Sequence, residues 1–347
     1  MANIYALPSL TAWNTTAGGW SNTSGGASNG RVPNSSDTVI FDANSGAARA
    51  IPVTSSPQVS TIVCTGAQMT LTGSTVALYG TGAIDLSGFA SIAGVSLPAL
   101  GSSTLKTGNC TLGSFGCTGS LTLSSDLTVT GAFSLSAQSN PTTFNANGYN
   151  VTCGNFINNV GTDEVGTSIN TVVTLGSGMW TLTGTGVLMA GPVVAANATV
   201  KINSPNSSAK SFNGSILTNT TTLWVADTGT GTLTLREQFS IGTFRASKGN
   251  LLFGETTSVS TYTAVNWQVA GTSSAYISLT SAGAANGFYS LLASPNTTTP
   301  IYLDYCKFNK IGVNGNQPNF YARSWIDAGG MSNINQFVAK PNFTAFF

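Results

Sequence analysis

Residues 121–135 read LTLSSDLTVTGAFSL. Leu121, Leu123, Leu127, Val129, Phe133 and Leu135 fall on one parity; Thr122, Ser124, Asp126, Thr128, Thr130, Ala132 and Ser134 fall on the other. A period of two held for fifteen residues is the alternation of a half-buried strand, whose side chains leave the backbone on opposite faces. An average strand has only about five or six residues. The stretch is therefore expected to hold several short strands, with bends near Ser125 and Gly131 and the same side chains facing inward across each bend. A hairpin would favour Asn-Gly or Asp-Gly at its turn, and neither dipeptide is present in it.

Working outward, similar pieces recur: MTLTG at 69–73, WTLTG at 180–184 and GTLTL at 231–235, beside LTVTG at 127–131. Their separations fit no single strict period, but they do fit two or three coils of roughly 20 residues each, the coil size of stacked solenoids. In such a stack the inward side chains are buried against the coils on either side. The outward ones need only be polar and compatible with a strand. Composition agrees: 7% of the 347 residues are charged, against roughly 25% in ordinary globular proteins, and short hydroxyls, amides and 40 Gly replace the missing charge. Hydrophobic content of 41% supplies a core, and no convincing amphipathic helix is present. In 258–283, Tyr262, Val265, Trp267 and Val269 are the apolar members of a further strand-like run.

Function classes narrow in the same way. A net charge of +1, with basic residues spread singly from Arg31 to Lys340, gives no phosphate-neutralising stripe, so no nucleic-acid partner is expected. No apolar run approaches the roughly 18 residues of a membrane span, and GVLMAGPVVAA is interrupted by Gly191 and Pro192. The start, MANIYALPSLTAWN, lacks a charged region followed by an apolar block, so folding in a cytoplasm is expected. The five Cys (64, 110, 117, 153 and 306) lack paired zinc-site spacing and read as small buried residues. The absence of His removes Ser-His-Asp and Cys-His nucleophile systems and His-based metal sites. The Gly-rich run TGTGTL (228–233) lacks the Gly-Lys-Ser/Thr of a phosphate loop, and the Asn-X-Ser/Thr triplets, at Asn14, Asn34, Asn150, Asn206 and Asn342 among others, are what this composition yields by chance. Among the acids, the neighbours Asp163 and Glu164, the pair Asp37 and Asp42 flanking TVIF, and Asp327 in WIDAGG are the carboxylates to weigh for glycan cleavage; turn and strand-end roles are expected for them. No catalytic, cofactor or metal residue is assigned, and no cofactor is expected. Trp180 reads as core, whereas Trp13, Trp20 and Trp325 lie near the ends, where burial and contact with another chain are equally open.

Five blocks in order carry a resemblance. They are WSNTSGGASNGRVPNSSDTVIFDANSG (20–46); TFNANGYNVTCGNF (143–156); TLGSGMWTLTGTG (174–186); SSAKSFNGS leading into TLWVADTGTGTLTL (222–235); and YLDYCKFNK leading into FYARSWIDAGG (320–330). Together they resemble β-helical virion structural proteins of tailed bacteriophages, of fibre, spike or capsid-decoration type. After Asp327 the chain reads GGMSNINQF, departing from a family pattern of Gly-Asn-Asn followed by Gly-Trp. The resemblance implies an all-β, right-handed parallel β-helix, commonly a homotrimer, forming part of a virion made in the host cytoplasm. The expected layout is an N-terminal attachment or capping segment over 1–45, a β-solenoid over 46–300, and C-terminal strands over 301–347 acting as a cap or subunit contact. The expected role is a rigid, surface-exposed, non-enzymatic virion component with an adhesive function. Its expected partners are copies of itself, other virion proteins and a host surface glycan, with no membrane partner. The alternatives are a glycan-depolymerising tailspike enzyme using paired carboxylates and a bacterial surface adhesin.

Overall fold

The computed structural model of the chain describes residues 2–97, 102–136, 143–159, 172–190, 193–214, 217–254, 260–282, 290–296, 298–314, 319–329 and 334–336. It contains short β-strands and no α-helix among these residues, and it forms two compact units, Met1–Ala198 and Thr199–Phe347. Each unit is a parallel β-helix; the only antiparallel pair of named strands described is Asn3–Ala6 with Trp20–Ser21.

In the first unit the described coils wind over three strand-bearing faces. Ser120–Leu123 belongs to one, and Leu127–Ser136 bends to serve the other two. Its first part pairs with Thr111–Leu112 and its second with Phe115–Cys117, and the register shifts between Val129 and Ala132. The bends expected near Ser125 and Gly131 are therefore present, and Leu121, Leu123, Leu127, Val129, Phe133 and Leu135 are all buried.

The alternation turns into columns once coils stack. Ile51, Leu71, Ile92, Leu112, Val129, Cys153 and Leu182 are successive register partners, one per coil, each at most 1% exposed. A second column runs Val76, Val95, Phe115, Phe133, Phe156 and Met189. Within it the ring centroids of Phe115 and Phe133, and of Phe133 and Phe156, are 5.1 Å apart, and Trp180 packs on Phe156 at the same distance. Burying each such side chain contributes about 1.5–3 kcal/mol.

The recurring Thr-Gly has a steric cause. At one corner Gly113, Gly131, Gly154 and Gly184 follow each other coil by coil: Gly131 N–H donates to the Gly113 carbonyl at 2.8 Å, and Gly184 N–H to the Gly154 carbonyl at 2.8 Å. A Cβ on Gly131 would lie 2.6 Å from the Gly113 oxygen, and one on Gly184 equally close to the Gly154 oxygen. Only glycine allows the backbones this approach.

The N-terminal segment forms a small sheet with Thr61–Cys64. Trp13 and Trp20 are buried rather than available to another chain, edge-to-face at 5.3 Å, and the contact continues through Phe41 to Phe89. Arg49 ties the segment down by donating to the carbonyls of Leu7, Leu10 and Ser45. The five thiols are free and buried, as the composition suggested.

The second unit repeats the scheme. Ile202, Val225, Ala246, Val269, Leu303 and Ala322 form one inward column, and the parallel registers extend to Asn335 and Gln336. A parallel column begins with Lys210 and continues as Leu233, Leu251, Leu279 and Phe308. Lys210 is 2% exposed, and its Nζ donates to the carbonyls of Asn206, Ser208 and Thr228 at 3.2, 2.8 and 2.9 Å. A charge inside the fold is tolerated because all three ammonium hydrogens are bonded; burial still lowers its pKa, with Asp227 opposing. Ser260–Ala270 buries Tyr262 and Ala264, then Trp267 and Val269, so the strand bends between the two sets and leaves Val265 39% exposed.

Candidate functional site

The carboxylates singled out in the sequence are not brought together as a pair by the described contacts. Asp37 is 2% exposed and bonded by both terminal nitrogens of Arg31 at 2.6 and 2.9 Å, which holds its carboxyl below the usual range. Asp42 caps the short turn Ala43–Ser45 by accepting from Asn44 N–H, and Asp327 accepts from Gly329 N–H at 2.8 Å. Asp163 and Glu164 lie outside the described residues. Burial pushes the thiols of Cys110 and Cys153 up to about 12 and that of Cys117 to about 11, which leaves them protonated and inert at neutral pH.

The outward columns hold the more specific chemistry. On the first unit, Thr70, Ser91, Thr111, Thr128, Thr152 and Thr181 are register partners. Thr70, Ser91 and Thr111 border a shallow, uncharged groove of about 290 Å³.

On the second unit the corresponding column runs Lys201, Trp224, Arg245 and Gln268. With Leu303 registered on Val269, it continues through Tyr302, Tyr321 and Asn335. Lys201 Nζ lies 4.3 Å and Arg245 Cζ 4.4 Å from the Trp224 ring centroid. Arg323 Cζ lies 4.2 Å from that of Tyr302. All the cation–π contacts among the described residues thus use a ring of this column.

Beside it opens a groove of about 690 Å³ lined in part by Arg245, Asn266, Gln268, Asn296, Tyr302 and Arg323. One side of it, with Asn296, Thr299 and Pro300, is fixed from within. Trp267 Nε1 donates to Ala293 O at 2.9 Å, Ser294 Oγ to Val265 O at 3.1 Å, and Asn319 Nδ2 to Asn296 O and Thr299 O at 2.6 and 2.8 Å. No family model, no curated protein and no solved structure matches the chain.

The groove's chemistry has therefore to be read from its own residues. Its one lining acid among those described is Asp304, whose carboxylate accepts from Arg323 Nε at 2.5 Å and from Nη2 of the same group. This bond raises the Arg323 pKa. Two-carboxylate glycoside cleavage requires a second acid about 5–10 Å away, and the described lining provides none. What remains is a surface able to hold a ligand: a fixed guanidinium, three amides, and exposed faces of Tyr302 and Val265, which are 36% and 39% exposed. Sequence parity alone places Trp224 outward, between inward Leu223 and Val225. The residues above and below it depend on coil length, which no local pattern specifies.

Proposed function

We propose that this chain is a non-enzymatic structural component of a tailed-bacteriophage virion, a self-associated, surface-exposed β-helical element whose second unit carries an adhesive groove. The observation that carries the reading is the pairing of a parallel β-helix in each unit with five sequence blocks that resemble, in order, β-helical virion proteins. The physical character of the fold suits the role. Continuous backbone pairing and buried columns give rigidity at low sequence complexity, and hydroxyl outward faces keep it soluble with little charge. Association into a trimer is part of the reading, since copies packed side by side protect coil ends and edges.

Mass spectrometry of density-purified phage particles from a host culture expressing this chain is the test. Recovery of the chain in the particle band in fixed stoichiometry to other virion proteins is the expected result. Its recovery instead in the host envelope fraction, with none in the particles, would replace this reading with a cell-surface adhesin.

A further inference from the structure

Resting on the adhesive reading above, we propose that the second unit's groove binds a carboxylate-bearing polysaccharide, with Arg245 selecting for the acidic sugar. Three observations on the groove converge on this ligand class.

The first is an uncommitted guanidinium held in place. Arg245 is stacked against Trp224 at 4.4 Å, lies on the groove and makes none of the ion pairs among the described residues. Stacking restrains the side chain while leaving the edge of its planar fork open, and that edge matches a carboxylate in two-point geometry. Arg323, the other arginine of the lining, is neutralised by Asp304. The groove therefore carries one unpaired positive charge at a defined place.

The second is the surrounding polar set. Asn266, Gln268 and Asn296 line the same groove, and primary amides offer both donors and acceptors, as sugar hydroxyls require. Exposed Val265, and the part of Tyr302 that Arg323 leaves uncovered, supply apolar area for the C–H face of a sugar ring. The wall is fixed by Trp267, Ser294 and Asn319, so little ordering cost is added on binding.

The third separates a glycan from a nucleic acid. Trp224 is flanked in its column by Lys201 on one side and Arg245 on the other, and both cations lie over its ring. A base finds no open indole face there to stack on. A single unpaired cation in the groove also falls short of the several phosphate contacts that drive nucleic-acid affinity. The column presents one residue per coil at the strand spacing of about 4.8 Å, which suits an extended polymer with a sparse negative charge.

The test is calorimetric titration of the full chain with defined oligomers of galacturonate, alginate and hyaluronan, each beside its carboxyl-reduced counterpart, with oligo-dT as a polyanion control. At least one acidic oligomer is expected to bind about tenfold more tightly than its reduced form, and the advantage to shrink as salt rises. Arg245→Gln is expected to erase the difference and leave binding of the reduced oligomer unchanged, while Arg245→Lys retains part of it. Circular dichroism melts, together with the exposed variant Thr128→Ala outside the groove, separate loss of binding from loss of fold. Equal binding of acidic and reduced oligomers overturns the acidic assignment and leaves the adhesive reading standing. Binding of none of the oligomers removes both, and tighter binding of oligo-dT overturns the glycan in favour of nucleic acid.

Discussion

The first unit's outward column of Thr70, Ser91, Thr111, Thr128, Thr152 and Thr181 differs sharply from the second unit's Lys201, Trp224, Arg245, Gln268, Tyr302 and Tyr321. Inside, the two units are alike: aliphatic and aromatic columns, one residue per coil, shielded from water. The same backbone scheme thus supports two unrelated surfaces. Inward positions answer to packing and are set by the fold, while outward positions are free of that demand and are where recognition chemistry can be placed.

This contrast is broken most forcefully from the inside. Phe133→Ala removes a ring that touches Phe115, Phe144, Phe156 and Trp180 and is expected to cost about 3–5 kcal/mol. Thr128→Ala, on the same strand but outward, is expected to stay within about 0.5 kcal/mol. Denaturant unfolding of both variants checks the difference, and equal effects would mean that inside and outside have been misassigned.

Lys210→Met should come next. It leaves the carbonyls of Asn206, Ser208 and Thr228 without their shared donor, at an expected cost of about 1–3 kcal/mol read from the same unfolding curves.

The buried thiols give a pH test. Their folded pKa values are raised by burial, to about 12 for Cys110 and Cys153, from an ordinary thiol value of 9.0. Their contribution is therefore fully present below about pH 9 and is lost as pH rises toward the folded values, at about 1.4 kcal/mol per pH unit for each thiol. Melting temperature should fall between about pH 9 and 11, and fall less steeply in Cys153→Ala than in the parent chain.

The smallest stability effect belongs to the recognition column. Trp224→Leu removes two exposed cation–π contacts, worth about 0.5–1 kcal/mol each. It should lower the melting temperature by only a few degrees while releasing Arg245 and weakening acidic-oligomer binding.

Much of the interior was legible in the sequence because a buried strand writes its own period. Leu121 to Leu135 alternates apart from Ser125 and Gly131, and those two gaps, with the usual strand length, mark the bends. The outward setting of Val265 was not legible, because the strand bends inside 260–270 and a count of apolar residues cannot see a bend until the next coil registers against it. The recognition column was only half legible. The outward setting of Trp224 is local, but its meeting with Lys201 and Arg245 depends on coil lengths of 23 and 21 residues. The groove wall depends on Asn319 reaching back to Asn296 and Thr299. Both are long-range consequences of packing, with no local signature. The exposed role left open for Trp13 and Trp20 failed because position near a chain end says nothing of burial when the end folds into a sheet.

The most direct test of the division of labour between the two surfaces is nuclear magnetic resonance of the chain labelled at tryptophan indoles and threonine methyls, titrated with the tightest acidic oligomer. The account predicts movement of the Trp224 indole signal, with the methyls of Thr111, Thr128, Thr152 and Thr181 unmoved. Movement of the threonine column with Trp224 silent would contradict it.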